Sequence, residues 1–370
     1  MRILFISRAF PPITGGIENH NAALAQWLPK YASVTTLANH GGKLALPLFL
    51  PRVLLQSLFL LRKYDVLLLG DGVLAPIGRL LKFVYPKKKV ACILHGLDIT
   101  FASKQGILAK LYAWINIPSL RRLDLLIAVS KETLATAVRA GIPEEKCTVI
   151  NNGVDPNTLA GNFSRKELAE FLDMDLTGKI VIFRAGRYVK HKGVEWFLRN
   201  VVPRLPQHVL FVAAGAIVKK NTPGDTNAYP DCKNAVRELH LESRVKLFSN
   251  LPWKHMQLLF NTADIVVSPN IEVPGTMEGF GISIIEAAVC ARPIVASDLQ
   301  GIKDAVCHNE NGILVPHENA DAFVQTLTEL IEKEEQRLAL GARAKAYTEA
   351  HFHWSIISRL YVETLSDLLK

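Results

Sequence analysis

Almost from end to end, the chain alternates short runs of apolar, largely β-branched residues with segments of helical periodicity, and few folds tolerate that alternation. The runs are Arg2 to Ser7, Val34 to Ala38, Asp65 to Leu69, Lys89 to Leu94, Asp124 to Ser130 and Cys147 to Ile150. A second series follows at Lys179 to Phe183, His208 to Ala213, Arg244 to Phe248, Asp264 to Ser268, Pro293 to Ala296 and Gly312 to Val315. Between several of them lie amphipathic stretches such as Ile17 to Leu28, with Ile17, Leu24 and Leu28 on one face. A strand, a crossover helix and a further strand make a parallel connection, so the rhythm predicts an α/β fold with sheets buried between helices. With 370 residues there is chain enough for two such sheets, each with its own core. The rhythm pauses in the polar stretch Pro156 to Ser164, which places the junction between domains 1–165 and 166–351. Ligands of doubly wound sheets sit beyond the carboxyl ends of the strands, so a cleft between two facing sheets is the expected site.

Composition narrows the partners. A net charge of +9 favours anionic ligands: nucleotides, phospholipid head groups or nucleic acid. Nucleic acid is not expected, because the chain has no RNA-recognition signature, zinc-finger spacing, heptad array or internal repeat. Cys92, Cys147, Cys232, Cys290 and Cys307 are scattered and odd in number, which predicts buried free thiols in a reducing compartment. The apolar run from Arg2 to Ser7 meets Pro11 and Pro12 too soon for a signal peptide, so the expected location is cytoplasmic. Leu44 to Leu61 is very apolar, but Pro47, Pro51, Arg52 and Gln56 interrupt it, predicting no membrane crossing. Together with Arg52, Arg62, Lys63, Lys82 and Lys87 to Lys89 this segment fits either peripheral docking on the anionic inner face of the cell membrane, or a buried helix with a solvated basic rim. The polar stretch Lys219 to Pro230 is expected to be a mobile loop.

Four segments carry chemistry. In Glu278-Gly279-Phe280-Gly281, running on to Glu286, two carboxylates stand eight residues apart across a glycine turn that opens an apolar helix, with Glu286 about two turns in. Glycines there let backbone amides approach a ligand, and carboxylates accept hydrogen bonds from sugar hydroxyls. Arg187 and Lys192 lie on the loop between the strand ending near Phe183 and the helix Val194 to Asn200. Two fixed cations suit a diphosphate, Arg by paired hydrogen bonds and Lys as a point charge, although such a loop standing alone is more simply a solvated basic turn. Gly15-Gly16 ends the first strand's loop and could turn amides toward a phosphate or an acceptor. It is neither a Walker loop nor a dinucleotide fingerprint. His95, beside Gly96, closes the fourth strand. Asp173 and Asp175 have the spacing of metal ligands but precede a strand, so they read as surface charge and no metal site is expected.

The order of these motifs resembles retaining glycosyltransferases of the GT-B fold, glycosyltransferase family 4. The resemblance runs through Gly15-Gly16 and Glu18, His95-Gly96-Leu97-Asp98, Val129-Ser130, Ile150 to Asp155, Gly186-Arg187, Lys192-Gly193, and Glu278 to Gly281 with Glu286-Ala287. It implies two facing Rossmann-like domains, an N-terminal one for the acceptor and a C-terminal one for the nucleotide sugar, with the closing helix, about 352–370, packing back on the first. It further implies that Arg187 and Lys192 bind the donor diphosphate, that Glu286 binds the nucleotide ribose and Glu278 the transferred sugar, and that His95 lies near sugar and acceptor. The implied reaction is metal-free transfer of a hexose from a UDP- or GDP-linked donor to a glycan or lipid-linked acceptor, with no other cofactor. Another GT-B activity, such as a nucleotide-sugar epimerase, and a catalytically silent nucleotide-binding subunit are the alternatives. Three positions depart from the family pattern, where glycine is usual: Asn250, Ala291 and Gln300.

Overall fold

The computed structural model describes residues 1–13, 15–103, 106–218 and 226–370. It divides into two compact units, 1–153 with 354–370, and 154–353. The junction thus falls between Gly153 and Val154 instead of 165 and 166. The reason is local pairing: the Val154 amide donates to the Phe352 carbonyl at 2.8 Å and Val154 bridges His353, so both chain crossings are fixed side by side.

The first unit is a six-stranded parallel sheet in the order β2-β1-β3-β4-β5-β6. The strands are β1 (Arg2–Ser7), β2 (Ser33–Ala38), β3 (Val66–Leu69), β4 (Lys89–Leu94), β5 (Leu125–Ala128) and β6 (Cys147–Val149). Its helices are α1 (Gly16–Trp27), α2 (Gly42–Leu60), α3 (Ala75–Val84), α4 (Leu97–Thr100), α5 (Ile107–Leu120) and α6 (Lys131–Arg139). Leu4, Ile6, Leu67, Leu69, Cys92 and Leu94 pack with Val53, Leu81, Ile117 and Leu120 from α2, α3 and α5 in one core. Burying each such leucine contributes about 1.5–3 kcal/mol. The second unit repeats the plan, in the order β12-β11-β10-β7-β8-β9. Here the strands are β7 (Ile180–Ala185), β8 (Val209–Gly215), β9 (Val245–Ser249), β10 (Ile265–Ser268), β11 (Ile294–Asp298) and β12 (Ile313–Pro316). The helices are α7 (Arg165–Leu172), α8 (Val194–Asn200), α9 (Tyr229–Glu238), α10 (Trp253–Thr262), α11 (Ile282–Val289), α12 (Ile302–Ala305), α13 (Ala320–Glu332) and α14 (Glu334–Phe352). The last helix, α15 (Trp354–Asp367), belongs to the first unit and packs on α1. Trp354 fills the space over Gly153, where a Cβ would lie 2.6 Å from its ring.

Three expectations need correction or restriction. Pro47 and Pro51 do not break the apolar segment, which is continuous helix as α2. Two prolines four residues apart lose backbone hydrogen bonds on a single face, which a helix packed against a sheet core survives. By length and composition alone, 42–63 could cross a membrane, at a mean hydropathy of 1.9. All five cysteines are free, but only Cys92 and Cys232 are fully buried and Cys307 is exposed, because it lies in the turn after α12. Of the loop expected at Lys219 to Pro230, positions 219–225 lie outside the described residues.

Candidate active site

Of the sequence-predicted donor-side residues, Lys192, Glu278 and Arg187 come together beyond the carboxyl ends of two neighbouring strands, β7 and β10. After β7 the chain turns through Lys190–Lys192 and reaches Gly193 at φ 68°, from which α8 starts. Only glycine fits there: a Cβ would lie 1.8 Å from the Pro269 carbonyl oxygen. That approach lays the segment after β10 across the turn, where the Ile271 amide donates to the His191 carbonyl at 3.0 Å. Lys192 Nζ and Glu278 Oε2 thereby form a close ion pair with side chains only 15% and 12% exposed. Asn270 Nδ2 donates to the same Glu278 oxygen at 2.9 Å, while Ser268 Oγ donates to Asn270 Oδ1 at 2.9 Å. Burial alone would raise the Glu278 carboxyl, but Lys192, His191 and the two hydrogen bonds outweigh it and hold it well below the ordinary carboxylate range. Burial is also the largest influence on Lys192 and lowers its ammonium, an effect that Glu278 offsets only in part. Arg187 lies on the same loop, half-buried and close enough to add to the lowering of Lys192.

Two groups in this cluster escaped the sequence reading. Arg184, on β7, is 2% exposed, and its guanidinium donates to the carbonyls of Gly186 and Arg187, tying down the loop that carries Arg187. Burial lowers it to about 10. A charge inside an otherwise apolar strand was the available signal. The other is Gln300, whose Oε1 accepts from the Glu278 amide at 2.7 Å. The sequence marked Gln300 only as a departure from glycine. In fact all three departures adopt left-handed backbone, Asn250 at φ 54°, Ala291 at φ 56° and Gln300 at φ 46°. Glycine would take that conformation without steric cost. At Gln300 the side chain gives a hydrogen bond in return.

Gly281 caps α11 at φ 96°, and the helix begins only at Ile282, so Glu286 stands one turn in instead of two. Phe280 is buried against Phe352, their ring centroids 5.6 Å apart, and Gly279 is half-buried, its carbonyl packed against Gly301. Glu286 is half-buried with no hydrogen bond or ion pair to another described residue, and burial pushes its carboxyl up to about 7. An unpartnered, desolvated carboxyl in the first turns of a helix is a receptor for hydrogen-bond donors.

The first unit carries the remaining predicted residues. Gly15 caps α1 in extended backbone, and Gly16 is the first residue of the helix. The Glu18 carboxylate folds back to this end, so close that a Cβ on Gly15 would meet its oxygen at 2.3 Å. An anion arriving at those amides must displace Glu18. Thr14 lies outside the described residues. His95, half-buried, follows β4 and is tethered at two points. Its amide donates to both Asp98 oxygens at 3.2 Å, and Nε2 lies 3.0 Å from the Gly70 carbonyl. A carbonyl only accepts, so Nε2 carries the proton, and in neutral His95 Nδ1 is the free acceptor. His20 packs edge-on at 4.9 Å between ring centroids and is itself kept neutral by burial. Among the described residues no group of three or more His, Cys, Asp or Glu side chains is arranged to hold a metal ion.

Two parallel doubly wound sheets with these strand-end loops are the GT-B architecture of nucleotide-sugar transferases. Residues 165–347 match the family model for glycosyl transferases group 1, and residues 14–158 match that for Glycosyltransferase Family 4; the chain belongs to this family. An uncharacterized glycosyltransferase of Methanocaldococcus jannaschii is 24% identical, over 97% of this chain and 96% of its own. The amylovoran biosynthesis glycosyltransferase AmsK of Erwinia amylovora is 26% identical, over 80% of this chain and 68% of its own. Among solved structures, Anabaena HepE in complex with UDP-glucose superimposes with a TM-score of 0.79 at 21% identity, covering 99% of this chain and 100% of that one.

Proposed function

We propose that the protein is a retaining, metal-independent hexosyltransferase that moves a hexose from a UDP- or GDP-linked sugar to a hydroxyl of a glycan or lipid-linked acceptor in cell-surface glycan synthesis. The observation that carries this reading is the buried Lys192–Glu278 pair, with Arg187 on the same loop and the unpartnered Glu286 one turn into α11. Lys192 and Arg187 supply positive charge to a departing diphosphate, the task a divalent ion would otherwise perform. Ionised Glu278, acceptor only, orients sugar hydroxyls, and Glu286 receives the hydrogen bonds of a ribose. His95 offers Nδ1 to the sugar or the acceptor. The acceptor oxygen bonds to the anomeric carbon on the face from which the diphosphate oxygen leaves, and that departing oxygen takes the acceptor's proton. Relatives named for amylovoran and colanic acid biosynthesis support the glycan, and the HepE complex with UDP-glucose supports the donor.

The test is consumption of UDP- and GDP-linked hexoses with excess chelator present, with NMR assignment of the product anomer. Acceptor-dependent consumption with retention, unaffected by chelation, is expected. Isomerised donor without acceptor would identify an epimerase, and nucleotide binding without turnover a silent subunit. Activity lost on chelation and restored by magnesium or manganese would overturn the metal-free route.

A further inference from the structure

A helix covering a sheet normally turns its apolar stripe inward and a polar face to water. Three neighbouring helices of the first unit are apolar on both sides. α2 buries Val53 and Ser57 toward the sheet yet exposes Leu44, Leu48, Leu55 and Phe59, with Leu44 95% accessible. α3, which packs against both α2 and α5, exposes Leu80, Phe83 and Val84. On α5 the exposed residues Ile107, Leu108, Leu111, Trp114 and Ile115 recur at helical spacing on the face opposite buried Ile117 and Leu120, and Trp114 is 76% accessible. Elsewhere in the described chain, exposed large apolar side chains are scattered. A contiguous apolar surface of more than a few hundred Å² on a soluble protein marks something that covers it.

Charge identifies the cover. The segments 42–63, 75–89 and 107–122 hold twelve basic and no acidic residues, whereas the whole chain holds 43 basic and 34 acidic. Lys43 begins α2, and Arg62 and Lys63 follow it; Lys87 follows α3; Arg121 and Arg122 follow α5, and all six are exposed. Arg121 also lines an apolar hollow of about 510 Å³ between α5 and α6, with Ile99, Ile117 and Arg139. Apolar helix faces edged by cations, with tryptophan and phenylalanine among the outermost groups, match the boundary between acyl chains and anionic head groups. We propose that the outer face of α2, α3 and α5 embeds in an anionic bilayer, with the helices lying in its plane. α2 does not cross the bilayer, because its inner face forms part of the sheet core. The face includes α5, which the sequence had not joined to the apolar segment around α2.

The proposal is tested with the full chain and vesicles of phosphatidylcholine with or without phosphatidylglycerol. Co-sedimentation should need phosphatidylglycerol and weaken at high salt, since both follow from screened attraction of cations to anionic lipid. The variant Phe59→Ser, Phe83→Ser, Trp114→Ser should lower partitioning by about tenfold or more while keeping the wild-type Tm, because the side chains it removes are exposed. Lys87→Glu with Arg122→Glu should lower it by a similar factor at low salt only. Brominated lipids should quench the wild type more than Trp114→Phe. Binding indifferent to lipid charge or to the serine variant would overturn the proposal. So would a stable dimer that the serine variant converts to monomer, since the cover would then be a second copy of the chain.

Discussion

The single residue that most shapes the candidate site is Lys192, because it neutralises a carboxylate that is already buried. Lys192→Met should destabilise the fold by about 3–5 kcal/mol, since Glu278 would be left charged and without its cation. Adding Glu278→Gln should restore much of that loss, and urea unfolding of the four proteins of the cycle measures the coupling. The pH dependence reverses sign. In the wild type the lowered Glu278 carboxyl contributes stability that is present above its unfolded value and lost as pH falls through its folded one. In Lys192→Met burial raises it, so the defect should be largest at alkaline pH and shrink toward acid. Glu286 behaves in the opposite way to wild-type Glu278. Its carboxyl, raised to about 7, leaves stability intact below the ordinary carboxylate range of roughly 4.3 and erodes it as pH rises through 7. Glu286→Gln should therefore raise Tm at pH 8 and leave it unchanged near pH 4, while weakening nucleoside-diphosphate binding in calorimetry. Tm curves that stay parallel across that range would contradict the burial argument. The motifs placed Lys192, Glu278 and Glu286 in sequence, but their charge states follow from burial, which no spacing reveals.

At the scale of elements, every strand was legible: the inner strands are largely buried and read as apolar runs, and β2, β6, β9 and β12, though only partly buried, keep β-branched or alternating apolar residues. Helix ends were less so. α11 starts later than its glycine turn suggests, since Gly281 is its cap and Phe280 turns inward to Phe352. It also ends on Ala291, left-handed at φ 56°, with the Arg292 amide returning to the Ala287 carbonyl at 3.1 Å. This is the position where helices favour glycine. Ala291→Gly should stabilise the second unit by about 1 kcal/mol, the cost of a left-handed alanine less the added freedom of the unfolded chain. A denaturation midpoint that does not rise would mean that the turn is held by contacts outside it. Gly193→Ala should do the reverse and do more, because the new methyl meets the Pro269 carbonyl; loss of Tm with loss of nucleotide binding is expected, as the same contact sets Lys192 beside Glu278.

For the whole molecule, the first unit is assembled from both ends of the chain. Trp354 and Tyr361 are buried in it, and the Tyr361 hydroxyl lies 3.4 Å from His20 Nε2. Deleting 354–370 should expose the core over Gly153 and unfold this unit, while the second keeps its helical signal and its affinity for nucleoside diphosphates; calorimetry should lose one transition and keep the other. By itself the sequence determined the two α/β sheets and the loops on which Arg187, Lys192, Glu278 and His95 stand, because periodicity and strand-end glycines are local properties; the family came from the resemblance of its ordered motifs. It could not place the junction at Gly153, join Arg184 and Gln300 to the cluster, raise Glu286, or show that α2, α3 and α5 leave an apolar face outward. Each of those depends on which side chains meet after distant segments pack, and on how much water that packing removes.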